Sequence, residues 1–254
     1  MREWYKAIYL SPHLDDAALS CGGQIYQETA NRPPILIVTL MAGEPTADGP
    51  LSEFAQELHQ RWELARNAVQ VRRAEDVVAC QILKADYLHW SVPDCVYRSD
   101  PANGEPCYPT WESVITTMHP ADEVVVEWLT HYLRQLPAAD QIYAPLTAGN
   151  HVDHRLTRLA AERVFGDRLI YYEDYPYAAE EGAVTAVLTP APDHWQPTII
   201  TLSATAVQTK IDAIWAYVSQ RSTFFATRED LEAKIKSYTD QVSGERQWQS
   251  KVCA

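Results

Sequence analysis

The sequence predicts an α/β protein: a mostly parallel sheet flanked by helices, with a small strand pair and further helices at the C-terminal end. Three observations predict it. Short, continuous apolar runs recur, as in Ala7-Ile8-Tyr9-Leu10 and Ile35-Leu36-Ile37-Val38-Thr39-Leu40, and such runs suit strands buried on both faces. Stretches with helical spacing separate them. Histidines and aspartates gather where a strand run gives way to a helical one, the carboxyl-end rim at which open α/β sheets bind ligands.

Ala7 to Leu10 leads into Ser11-Pro12-His13-Leu14-Asp15-Asp16 and then into the small, apolar run from Ala17 to Ile25, which suits a closely packed helix. The start of that helix has free backbone N–H groups that can hold carboxylates. His13 and Asp16 can converge on one metal ion if the turn brings them together. Asp15 would then be free to take a proton. The plainer alternative makes either aspartate a helix cap. Pro33-Pro34 closes this helix, and Ile35 to Leu40 forms the second strand. A loop from Met41 to Pro50 follows on the same rim. Within it, Glu44 either reaches the site or is a solvated loop acid.

Ser52 to Lys84 reads as two helical segments carrying an apolar stripe through Leu64, Ala68, Val71, Val78, Ala79 and Leu83. Arg72 and Arg73 lie here with Glu75, as surface ion pairs or with one arginine turned toward a substrate oxygen. Ala85 to Trp90 is a third strand, followed by Pro93-Asp94. Cys95 to Pro120 is rich in Pro, Gly, Asn and Tyr, and a loop of that length is usually a lid or a binding loop. Ala121 to Leu136 is a helix. Gln141 to Leu146 is a fourth strand, Thr147 to Asn150 a turn, and His151-Val152-Asp153-His154 opens a helix that runs to Phe165. Arg168 to Tyr172 is a fifth strand. Ala183 to Leu188 and Thr198 to Leu202 read as a strand pair, an edge open to a second copy in a homo-oligomer. Lys210 to Ser219 and Arg228 to Tyr238 are the last helices.

The 254 residues suffice for one large α/β domain or two small ones. Hydrophobic residues make up 46% and charged residues 22%, enough for a sizeable core. A net charge of −13 argues against nucleic acid or an anionic membrane as the main partner. The absence of a signal-like segment or a membrane-length apolar run favours a cytoplasmic protein without membrane insertion. Cys21, Cys80, Cys95, Cys107 and Cys253 are widely spaced with no C-x-x-C, which fits reduced thiols. Gly22-Gly23 lacks the Gly-x-Gly-x-x-Gly and Gly-Lys-Ser/Thr patterns of nucleotide cradles.

His151 and His154 are three apart at a helix start, so both can face the rim that carries His13, Asp15 and Asp16. Three protein ligands plus water is the usual catalytic zinc arrangement, and two histidines with one aspartate can be drawn from these five residues. Such a set also suits non-haem iron. The acidic neighbours and the α/β pattern favour hydrolysis.

These segments carry a resemblance. Pro12-His13-Leu14-Asp15-Asp16-Ala17 resembles the Pro-His-Pro-Asp-Asp-Glu motif of the PIG-L/LmbE-like sugar N-deacetylases, and His151-Val152-Asp153-His154 resembles their His-x-Asp-His motif. Arg72-Arg73-Ala74-Glu75, Pro93-Asp94, Tyr172 to Tyr177, Lys210 to Ala213 and Tyr217 to Gln220 resemble further family segments. The resemblance implies one Rossmann-like domain over 1–254, with a core at about 1–175 and an extension at about 176–254. It implies zinc, or another divalent ion such as Fe²⁺, on His13, Asp16 and His154. Asp15 would be the general base. His151 would stabilise the oxyanion or protonate the leaving amine, and Asp153 would hold a histidine tautomer. Arg72 or Arg73 and Asp94 would contact substrate hydroxyls, and Glu44, from its place on the loop, is a further candidate contact. The implied substrate is a small N-acetylated sugar of the N-acetylglucosamine type. An amidase acting on a sugar-thiol conjugate and a non-catalytic sugar-binding module are the alternatives. Tyr97, Tyr108 and Trp111 are candidates to stack on a sugar face. Leu14 and Ala17 depart from the family pattern without removing a ligand or the base.

Overall fold

The computed structural model describes residues 1–30, 33–45, 51–65 and 67–251. The end of the Met41–Pro50 loop (46–50) and Cys253 lie outside the described residues. β1 (Trp4–Ser11) feeds α1 (Asp16–Ala30), and β2 (Ile35–Thr39) follows. α2 (Glu53–Arg61) and α3 (Ala68–Leu83) are the two expected helical segments, and β3 (Asp86–His89) comes next. Beyond it lie α4 (Trp111–Ile115), α5 (Glu123–Leu133), β4 (Ala138–Pro145), α6 (Val152–Phe165) and β5 (Leu169–Tyr172). The C-terminal part contains α7 (Ala183–Leu188), β6 (Trp195–Ile200), α8 (Ala204–Trp215), α9 (Arg221–Phe224), α10 (Arg228–Val242) and β7 (Glu245–Ser250).

Among the described residues, seven strands form one sheet in the order β3-β2-β1-β4-β5-β7-β6. The first five are parallel neighbours, and β7 is antiparallel to both β5 and β6. Side chains alternate across the central strands, as the pleat requires. Ile8, Leu10, Leu36, Val38 and Ile142 face a core shared with Leu129 and Leu133 of α5 and Leu156 and Ala160 of α6. Ala7, Tyr9, Ile35, Ile37 and Tyr143 face α1, α3 and α8 through Ala18, Cys21, Ala79, Leu83 and Ala213. The small residues of α1 let it lie close to the sheet. Ala17 is buried there, so packing absorbs the departure from Glu. The chain leaves β1 toward β2 on one side and returns to β4 on the other. The β1–β4 boundary is therefore the topological switch point, where a crevice opens outside the strand ends.

One expectation is corrected. Ala183 to Leu188 is α7, not a strand. Its Val and Thr content resembles a strand, but Gly182 starts a helix there in the left-handed region (φ 79), and Val184 packs into the main core. Tertiary context thus overrides local propensity. The partner of β6 is instead β7, whose Glu-Arg-Gln-Trp-Gln-Ser sequence has no apolar run. The Cys95–Pro120 segment, expected to be a lid or a binding loop, packs Cys95, Val96, Cys107, Tyr108 and Val114 into the core while Val96, Trp111 and Val114 line a cleft. Cys21, Cys80, Cys95 and Cys107 are buried free thiols, and no helix among the described residues is long and apolar enough to cross a membrane.

The extension is tied to the core by a buried ion pair. Lys210 Nζ lies 2.7 Å from Glu245 Oε1 and donates to Ser20 O at 3.3 Å. The Glu245 carboxylate accepts the N–H groups of Gly23 (3.0 Å) and Gln24 (2.8 Å) in the middle of α1. Breaking a buried pair by removing one partner leaves an uncompensated charge. Glu245→Ala is expected to lower stability to urea by about 3–5 kcal/mol. The apolar double variant Lys210→Met/Glu245→Leu should recover only part of that, because it does not restore the carboxylate contacts with the α1 amides. Full recovery would show that the amide contacts are dispensable.

Candidate active site

Two turns build the site. After β1, Ser11 Oγ donates to His13 O (2.7 Å) and accepts from Ala17 N (3.0 Å), which fixes the path into α1. His13 N donates to Asp16 Oδ2 at 2.8 Å. Asp15 starts α1 with its carbonyl, which accepts from Leu19 N. Its φ of 141° is strained for a residue with a Cβ, and such strain clusters at functional sites. After β4, Thr147, Gly149 and Asn150 all have positive φ. A Cβ on Gly149 would lie 2.5 Å from the Tyr177 ring. This compressed turn sets His151 at the start of α6, where its Nδ1 accepts from Asp153 N at 3.2 Å.

The turns meet at three donor atoms. His13 Nδ1 is 3.2 Å from Asp16 Oδ2, and His154 Nε2 is 3.4 Å from the same oxygen. A tetrahedral ion with bonds of about 2.0–2.1 Å spaces its ligands about 3.3 Å apart, and the two distances to Asp16 Oδ2 match that spacing. Each histidine is backed by a carboxylate on its other nitrogen. Asp153 Oδ2 is 3.0 Å from His13 Nε2, and Asp174 Oδ1 is 2.6 Å from His154 Nδ1. Such a carboxylate orients the ring, so that the other nitrogen of each histidine faces Asp16. Nitrogens of His13, His151 and His154 also lie within 4.8 Å of one another. Burial would push the Asp16 carboxyl up, but His154 and His13 outweigh it and hold it low. Burial likewise opposes charge on His154, and Asp16 and Asp174 outweigh it.

Asp15 is not part of this trio. Its side chain lines a cleft of about 530 Å³ with His13, Asp16 and His151. Burial, then the neighbouring Asp16, pushes its carboxyl up to about 7, against the pull of Arg72, whose Nη2 is 3.8 Å away. Burial, then His13 and His154, keep His151 well below the usual imidazole range. It is therefore neutral, and with Nδ1 accepting it carries its proton on Nε2. Arg72 lies over the Trp62 ring at 4.8 Å, donates to Leu14 O at 3.4 Å and approaches Asp94 Oδ2 at 4.0 Å. Asp94 combines two roles: Oδ1 caps the turn at Val96 N, while Oδ2 faces Arg72 on the cleft wall.

Several expected residues lie elsewhere. Glu44 is exposed outside the cleft lining and accepts from Gln70 of α3. Arg72 belongs to the lining and Arg73 does not, since neighbours on a helix point about 100° apart. Tyr97 bonds His59 and Tyr108 bonds Asp122, so Trp111 alone of the three aromatics lines the cleft, edge-on to His151 at 6.0 Å. Asp174 was given no role in the sequence. Its signal was an acid at the carboxyl end of the fifth strand, on the same rim. Trp62, Phe54 and Phe224 also line the cleft, brought together by chain segments far apart in sequence.

Gly149→Ala should destabilise the protein by about 2–4 kcal/mol, through positive φ and overpacking against Tyr177, measured by urea unfolding. A loss below about 0.5 kcal/mol, the range of ordinary surface changes, would show that the turn does not need glycine.

Comparison with known proteins bears on this geometry. A family model, PIG-L: GlcNAc-PI de-N-acetylase, matches residues 8–165, a span that holds both turns. A 2'-N-acetylparomamine deacetylase of Streptomyces fradiae is 29% identical over 187 residues, covering 70% of this chain and 60% of its own length. A protein of the same name from Niallia circulans is 25% identical over 185 residues, covering 67% of this chain and 66% of its own. The chain thus spans less than two thirds of either relative. A crystal structure described as the zinc inhibited form of teicoplanin deacetylase Orf2 superposes with a TM-score of 0.82 at 25% identity, covering 98% of this chain and 99% of that one. With a family match over more than half its length and both motifs at the site, the chain belongs to the PIG-L family.

Proposed function

We propose that this protein is a metal-dependent hydrolase that removes the acetyl group from an N-acetylated amino sugar or sugar conjugate. The observation that carries this reading is the convergence of His13 Nδ1, Asp16 Oδ2 and His154 Nε2 beside a carboxylate, Asp15, that is left free in the cleft. A divalent ion held by those three atoms would acidify water and polarise the amide carbonyl. Zinc suits two imidazoles and a carboxylate, and Fe²⁺ or Co²⁺ can take the same donors.

The chain's own groups supply the rest. Asp15 takes a proton from the attacking water and returns it to the amine nitrogen as the C–N bond breaks, giving acetate and a free amine. A carboxyl near neutral suits both transfers, and a cation beside it would lower it further. His151 donates its Nε2–H to the oxyanion that forms on the carbonyl oxygen, a role that suits a neutral imidazole better than proton transfer does. Arg72 and Asp94 face the cleft as hydrogen-bonding partners for substrate hydroxyls. Trp111, exposed on the cleft wall, offers an apolar face for a sugar ring. The cleft exceeds one sugar ring, which favours a sugar bearing an attached group. The relatives named as paromamine and teicoplanin deacetylases support that choice.

The test is acetate release from N-acetylglucosamine, its glycosides and 2'-N-acetylparomamine, together with metal analysis. Chelation should abolish release, and one equivalent of zinc should restore it. Excess zinc should lower it, as the zinc inhibited relative suggests. His13→Ala and His154→Ala should lose the metal. Asp15→Asn should keep it and lose about 10²–10⁴-fold in kcat; His151→Ala should lose about 10²–10³-fold. Unchanged metal content in both histidine variants would contradict the site. Release of a different acid with the same metal dependence would point to the amidase reading.

A further inference from the structure

Behind the site runs a buried chain of charges that the hydrolytic reading leaves unused. It starts in the Cys95–Pro120 segment. Arg98 Nη1 donates to Pro93 O at 3.1 Å, and Nη2 donates to Asp122 Oδ2 at 2.9 Å. Asp122 also accepts from Tyr108 OH at 2.6 Å, and that hydroxyl accepts from His119 N at 2.7 Å. The guanidinium sits over the Tyr108 ring, 5.5 Å from its centroid. From this anchored position Nη2 reaches to 2.7 Å from Asp153 Oδ1, a charge contact off the hydrogen-bond axis. The other oxygen, Oδ2, accepts from Cys95 N at 2.9 Å and meets His13 Nε2. The path is Asp122, Arg98, Asp153, His13, and it ends on the ring whose Nδ1 faces the metal position.

Three carboxylates crowd that ring. Asp16 is 3.2 Å from Nδ1, and Asp153 and Asp94 are 3.0 and 3.8 Å from Nε2. Asp153 is fully buried, and an ionised carboxylate there needs a partner. Arg98 provides one from the side away from the cleft, since it does not line the cleft. Its fork is held by two other acceptors, so it fixes a location as well as a charge.

We infer that Arg98 is a positioning residue: through Asp153 it holds the His13 ring with Nδ1 aimed at the metal position. Metal affinity then depends on a side chain that touches neither metal nor substrate. The inference rests on His13 being a ligand.

The test is the affinity for Co²⁺ and Zn²⁺, read by chelator competition, with the visible spectrum of the Co²⁺ form as a readout of ligand geometry. Arg98→Met should weaken binding about 10–100-fold, the usual effect of losing a group behind a metal ligand, and should alter the Co²⁺ bands. Coulomb's law alone predicts the opposite sign, because removing a positive charge near a cation site tightens binding. Arg98→Lys keeps the charge without the fork and should fall between native and Arg98→Met. Asp122→Asn, one link further away, should weaken binding in the same direction but less, and it carries the test if Arg98→Met does not fold. Unchanged or tighter binding in folded Arg98→Met and Asp122→Asn, with only lower stability, would overturn the inference. Loss of metal in His13→Ala alongside that result would leave the site reading intact, whereas retention in His13→Ala would remove both.

Discussion

The chemistry of the cleft depends on what stands behind each imidazole. Asp153 and Asp174 take Nε2 of His13 and Nδ1 of His154. The opposite nitrogens face Asp16 Oδ2. Behind His151 is a backbone amide, Asp153 N. An amide donates, so it leaves the ring neutral with its proton on the far side. In the proposed reaction the two histidines backed by carboxylates would be ligands, and the one backed by an N–H would be a hydrogen-bond donor. Three residues of one type thus differ in protonation and orientation through their partners.

This division needs two chain segments about 140 residues apart to meet within hydrogen-bond distance. The sheet achieves it by making β1 and β4 parallel neighbours in register, with Ala7 beside Gln141, Ile8 beside Ile142 and Tyr9 beside Tyr143. The Tyr9 and Tyr143 rings stack at 4.3 Å across that pair. Helices cover the sheet on both faces, so both turns rest on rigid elements. The strain at Asp15 and the left-handed turn before His151 are sustained by this surrounding packing. Lys210 and Glu245 extend the same support, since they fasten β7 to the backbone of α1, the helix that begins with Asp16.

Much of this was legible in the sequence. The strands that position the site are apolar runs, and buried parallel strands leave that signature. His13, Asp15, Asp16, His151 and His154 fall at strand ends, so their meeting on one rim follows from topology. Other features were hidden for physical reasons. β7 is polar because its buried Glu245 and Gln247 pair with α1 rather than with a greasy core, so it shows no apolar run. Ala183 to Leu188 has strand-like composition and a helical context. Asp174 and Arg98 act through long-range contacts with no local spacing, and the choice between Arg72 and Arg73 depends on helix phase. Glu44 sits on the correct rim but points away from the cleft.

The central claim is that one divalent ion sits on His13, Asp16 and His154. X-ray absorption spectroscopy of the zinc-loaded protein addresses it directly. Cys95 Sγ also lies near His151 and Asp153 and forms one competing donor group among the described residues. The account predicts a first shell of two imidazole nitrogens with oxygen ligands at about 2.0–2.1 Å and no sulfur. A sulfur scatterer at about 2.3 Å, or a shell with a single imidazole, would contradict it.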